Sequence, residues 1–137
     1  MSAAVLVGVF GVAGALLRFA VDSWFARHAG ALPVRSARGT AGHGPRHWPW
    51  ATLVVNVAGC LIIGLSVGIS GRLGLPEELH TAVATGLAGG LTTFSSWTTA
   101  TVRLVSETRY RAAAVNIAAN LIAGLAAAAL GLAVTGV

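Results

Sequence analysis

The sequence predicts an all-α membrane protein built as one domain of four transmembrane helices, the third of them broken. Three observations carry that prediction. Of 137 residues, 55% are hydrophobic and only 9% charged, and the mean hydropathy is +0.79, too apolar for a soluble domain of this length. Four stretches, about 3–24, 49–70, 79–104 and 112–134, reach the roughly 20 residues that a hydrocarbon core demands. In the middle of the third, Gly89-Gly90-Leu91-Thr92-Thr93-Phe94-Ser95-Ser96-Trp97 places a glycine pair and a hydroxyl run where lipid penalises unpaired backbone.

The first span has no basic leader and carries Arg18 within a run long enough to cross, so it reads as a helix and not a cleaved signal. The connection that follows, 25–48, is rich in Arg, Gly, His and Pro and reads as a flexible loop. Trp24, Trp48 and Trp50 flank it, where indoles mark the membrane interface. Its histidines are not taken as a metal site.

In the second span Thr52 and Asn56 stand four residues apart, on one helical face, with Gly59 and Gly64 beside them. Gly64-Leu65-Ser66-Val67-Gly68 allows close helix packing and favours dimerisation. Cys60, the lone cysteine, reads as a small packing residue. The third span brings the glycine pair and seven hydroxyl residues between Thr92 and Thr101, and the fourth repeats the four-residue spacing with Asn116 and Asn120.

All the cationic side chains are arginines, and they report orientation, not nucleic-acid binding. Arg27, Arg35, Arg38 and Arg46 lie in the first connection and Arg103, Arg109 and Arg111 around the third, against Arg72 alone in the second. Seven to one, with Arg18 set aside, places both termini outside the cytoplasm of a multi-pass protein of the plasma (inner) membrane. No repeat relates the two halves, so inverted-repeat symmetry would require a second subunit.

The polar groups at membrane depth are neutral. No carboxylate or lysine falls in the centre of a span, which argues against proton coupling, and no hydroxyl there has a His or carboxylate to make it a nucleophile, which argues against an enzyme. Gly86-Leu87-Ala88-Gly89-Gly90 lacks the ending of a phosphate loop. Asparagine NH2 and threonine OH donate to anions, and a phenyl ring offers an electropositive edge. Carbonyls freed by a helix break would hold a cation instead. For any single Asn or Thr, an interhelical hydrogen bond is an equally good account.

The chain resembles the small fluoride channels of the Fluc, or CrcB, family through Gly14-Ala15-Leu16-Leu17-Arg18, Thr52-Leu53-Val54-Val55-Asn56-Val57-Ala58-Gly59, the Gly89 to Ser96 motif, and Asn116 with Asn120 and Gly124. The resemblance implies four-helix subunits paired as an antiparallel dimer with two fluoride pathways and a central structural Na⁺. It implies backbone carbonyls of Gly89 and Thr92 on the Na⁺, and a fluoride pathway of Thr52, Asn56, Phe94, Trp97, Asn116 and Asn120, with Arg18 structural. Trp97 stands where the family usually has phenylalanine. The expected function is passive export of cytoplasmic fluoride. The one-sided arginines point to pairing with an oppositely oriented paralogue over a homodimer. A small four-helix multidrug exporter and a non-conducting accessory subunit are the alternatives. The first would want an embedded glutamate, and Glu77, Glu78 and Glu107 all fall at span ends.

Overall fold

The computed structural model describes residues 2–29 and 48–136. Among these the chain is helical: α1 (Ala3–Ala29), α2 (Trp50–Leu73), α3 (Glu77–Thr81) running through a π-helical stretch (Ala82–Ala88) into α4 (Gly89–Leu91), then α5 (Phe94–Ser106) and α6 (Tyr110–Thr135). Helices α1, α2 and α6 are each long and apolar enough to cross a membrane. The third predicted span is the exception, because its helix stops after Leu91 and restarts at Phe94.

Most boundaries shift outward from the hydropathy estimate, though α1 begins at residue 3 as expected and α2 begins one residue later, at Trp50. Helix α1 continues to Ala29, with Arg27 and His28 in its last turn, because Arg27 Nε donates to the Ser23 carbonyl at 3.2 Å and the His28 ring, bonded to the Trp24 carbonyl, stacks on Trp24. Basic side chains at a helix C-terminus complement its dipole, so five residues read as loop are helix. The rest of the predicted flexible connection, 30–47, lies outside the described residues. Helix α2 runs to Leu73, where Gly74 at φ 59° takes the left-handed cap and donates to Ser70 O. Pro76 precedes α3, whose first turn holds Glu77 and Glu78, the charge that a helix N-terminus favours.

Packing follows the small residues. Helix α2 lies along α6, and α1 along the π-helical stretch and α4, while α5 rests on α6. A Cβ on Gly64 would strike the backbone of Ala128, and one on Gly131 would come 2.6 Å from Leu65 N. Gly64 and Gly68, read as a pair that favours dimerisation, therefore face α6 within the chain, Gly68 against Thr135. Cys60 packs beside Gly124, in keeping with a packing role. Ser66 and Thr135 return their hydroxyls to carbonyls of their own helices, so neither is left unpaired in an apolar setting.

Candidate functional site

Hydroxyl chemistry, not glycine, makes the break. Gly89 keeps helical dihedrals, and Gly90 serves close packing, since a Cβ there would strike Gly11 O on α1. The expected break falls within the hydroxyl run of the motif: the chain turns extended at Thr92 (φ −76°, ψ 159°) and Thr93 (φ −148°, ψ 115°), a conformation β-branched residues accept readily. Thr93 then caps α5, its Oγ1 accepting from Ser96 N at 3.1 Å, the role Thr plays at a helix N-terminus.

Two main-chain donors are diverted in the process. In an unbroken helix Thr93 N–H would bond the Gly89 carbonyl and Ser96 N–H the Thr92 carbonyl. Here Thr93 N–H goes to Asn56 Oδ1 at 2.9 Å and Ser96 N–H to Thr93 Oγ1. Gly89 O and Thr92 O thereby lose their helical donors. Arg18 reaches across from α1, its guanidinium 3.4 Å from Thr92 O, which leaves a carbonyl lone pair over.

From the break a line of side chains runs to α6 and back to α5. Asn56 Nδ2 donates to Asn120 Oδ1 at 2.9 Å, with Thr93 O also within 3.4 Å. Asn120 Nδ2 donates to Asn116 O at 3.0 Å and faces Asn116 Oδ1 at 3.3 Å. Asn116 Nδ2 donates to Thr101 Oγ1 at 2.9 Å, and Thr101 donates to Trp97 O at 2.8 Å. Asn116 is fully buried and Asn120 nearly so, so these bonds replace the water each amide would otherwise need.

Phe94 and Trp97 meet edge to face, centroids 5.5 Å apart at 74°. They are unlike in exposure: Phe94 is 72% exposed and stands off the subunit, whereas Trp97 is half-buried with Nε1 donating to Asn116 O at 3.2 Å. Beside them a cleft of about 430 Å³ opens, lined by Trp48, Thr52, Ser95, Ser96, Thr99 and Arg103 among others. Among the described residues its polar lining consists of hydroxyls and a guanidinium, with no carboxylate. Such a wall solvates an anion better than a cation. Arg103 also approaches Glu107 at 3.9 Å, one turn away.

Of the residues expected from the sequence, Asn56, Asn120, Asn116 and Trp97 fall into one connected hydrogen-bonded set, and Arg18 bonds the Thr92 carbonyl one residue away from it. Thr52 is buried at the cleft, Phe94 points away from the subunit, and Gly89 presents open space. Two members carried no individual expectation. Thr93 is the hub of the break and Thr101 the end of the amide line. A cap signal was legible for the first only as a threonine directly before the segment that restarts at Phe94; for Thr101 none was, since its partner is on another helix.

The family model described as "CrcB-like protein, Camphor Resistance (CrcB)" matches residues 5–132. The chain is 47% identical over 129 residues to a protein of Renibacterium salmoninarum named "Fluoride-specific ion channel FluC", covering 93% of this chain and 94% of that one. It is 39% identical to "Fluoride-specific ion channel FluC 1" of Thermobifida fusca, covering 97% and 95%. With a Pseudomonas putida protein named "Fluoride-specific ion channel FluC" it shares 40%, covering 94% and 93%.

Proposed function

The chain belongs to the CrcB family, and from that premise we propose that it is a subunit of a fluoride-specific ion channel through which cytoplasmic fluoride leaves passively. The observation that carries the reading is the series of neutral polar groups, from the hydroxyl cleft at Thr52 and Ser96 through Thr93 to the amides of Asn56, Asn120 and Asn116. Fluoride gives up its hydration shell only to donors spaced closely enough to replace it, and a carboxylate in the line would repel it. Uncharged HF crosses lipid, dissociates in the cytoplasm and strands the anion, so a downhill leak suffices and no coupling group is needed.

The channel is an antiparallel dimer of four-span subunits, with the interrupted segment of α3, the π-helical stretch, α4 and α5 as the third crossing. Gly89 and Thr92 carbonyls are the ligands for a central Na⁺. The diversion of Thr93 N–H and Ser96 N–H supports this, since carbonyls without helical donors are what a hard cation seeks. A cation held there would satisfy these carbonyls in place of their lost helical donors, while Arg18 supports the same loop from α1. Phe94, exposed on the isolated subunit, meets the partner, and Trp97 lines the path with its ring while its N–H stays on Asn116.

The arginine distribution favours a partner of opposite orientation that is a paralogue and not a second copy. Fluoride-electrode recording of passive efflux from proteoliposomes tests both points. Efflux is expected when this chain is reconstituted with an oppositely oriented paralogue. Equal efflux from the chain alone would establish a homodimer, and none in either case would leave the accessory-subunit reading in its place.

A further inference from the structure

We propose that Thr101 and the Trp97 indole N–H are positioning residues that set the direction in which the amide donors point, and that Asn116 acts through this pin and not as a wall of the path. The inference rests on the channel reading above and refines the part given to Asn116.

The chain contains three asparagines and no glutamine, and all three carboxamides join one line of hydrogen bonds. Both ends of that line are main-chain groups whose sense is invariant. At one end Thr93 N–H only donates; at the other Trp97 C=O only accepts.

Everything between follows by elimination. Asn56 must turn its oxygen to Thr93 and its NH2 to Asn120. Asn120, accepting on Oδ1, must give its NH2 to Asn116, and Asn116 its NH2 to Thr101. The Thr101 hydroxyl accepts from Asn116 and donates to Trp97 O. A reversal anywhere sets two donors or two acceptors face to face.

Trp97 adds a second hold. Its Nε1 donates to the same Asn116 carbonyl that receives Asn120 Nδ2. Helix α5 thus grips the Asn116 turn of α6 from both of its polar neighbours. With Thr101 replaced by an isosteric apolar residue, the buried Asn116 NH2 loses its acceptor. The half-turn that relieves this stops at Asn120, whose NH2 the Asn116 main-chain carbonyl holds. The two NH2 groups of Asn116 and Asn120 then face one another, an arrangement that retains an anion where the wild-type order passes it on.

Three side-chain NH2 pairs make a clean readout. In the full chain labelled with ¹⁵N-asparagine, in lipid nanodiscs, Thr101→Val is expected to displace the Asn116 and Asn120 pairs in the ¹H–¹⁵N spectrum while the Asn56 pair stays in place, and Thr101→Ser to restore them. Trp97→Phe, which keeps the ring, should displace the Asn120 pair. In proteoliposomes Thr101→Val should lower fluoride efflux about fivefold to tenfold, the scale of one lost hydrogen bond, with Thr101→Ser close to wild type.

A shift confined to the Asn116 pair, or undiminished efflux in Thr101→Val, overturns the proposal. Were Thr101→Val to misfold, the Trp97→Phe spectrum decides: an unmoved Asn120 pair overturns it. Absence of wild-type efflux in any pairing would instead defeat the channel reading, while the spectra still decide the direction of the amides.

Discussion

At Asn56 the carbonyl oxygen and the amide nitrogen do different work. The oxygen takes Thr93 N–H from the Gly89 carbonyl and so maintains the break, while the nitrogen begins the donor line at Asn120. Asn56→Asp separates the two, since the near-isosteric carboxylate keeps the acceptor and loses both donor hydrogens. It also sets a negative charge in the path, a cost of about 3 kcal/mol at membrane depth. Fluoride efflux should fall about a hundredfold, and the protein should still assemble because Thr93 N–H retains its acceptor. Size-exclusion chromatography beside the efflux assay checks the pair of outcomes; aggregation would show that donation to Asn120 is needed for folding.

Among the elements, α2 and α6 depend on each other for a reason hydropathy does not show. Neither helix has a strongly polar face to turn away from lipid, so their pairing rests on shape, with Gly64 against Ala128 and Gly131 against the Leu61–Leu65 turn. A methyl at Gly64 meets main chain and not a flexible side chain, so the helices must separate. Gly64→Ala is expected to destabilise the subunit by about 1–3 kcal/mol, the usual cost of overpacking. A thermal melt in detergent measures this, with Gly71→Ala as the control, because a Cβ there meets nothing within 4 Å. Helix α5 differs from the others in having a polar side, Ser95, Ser96, Thr99 and Arg103, which borders the cleft.

For the whole molecule, the decisive quantity is charge across the membrane. By the positive-inside rule the arginines of the first and third connections are expected on the cytoplasmic side, and Arg72 alone opposes them. A phosphatase fused to the C-terminus should be active in a host with a periplasm, and a fluorescent protein fused at the same place should be dark. Comparable signals from both fusions would show dual insertion and with it the capacity to form an antiparallel homodimer. The hydroxyl cleft, with Arg103, opens at the arginine-rich end of α5. In the predicted orientation it faces the compartment from which fluoride must leave, where a positive mouth raises the local anion concentration.

Hydropathy by itself determined that this is a helical membrane protein and roughly where its three long apolar helices run, because each of these is a sum over neighbours in the chain. The Gly89 to Ser96 motif also marked the place of the interruption. Its cause was decided only in three dimensions: the acceptor that draws Thr93 N–H out of the helix is Asn56, 37 residues away. Thr101 and Asn116 likewise lie on different helices, and nothing in the spacing of either one announces the bond between them. Tertiary structure also turned Gly64 and Gly68 inward upon α6. Hydrogen bonds at membrane depth are directional and must be closed by whichever group folding brings alongside, and that choice is made between helices, where a linear pattern carries no record of it.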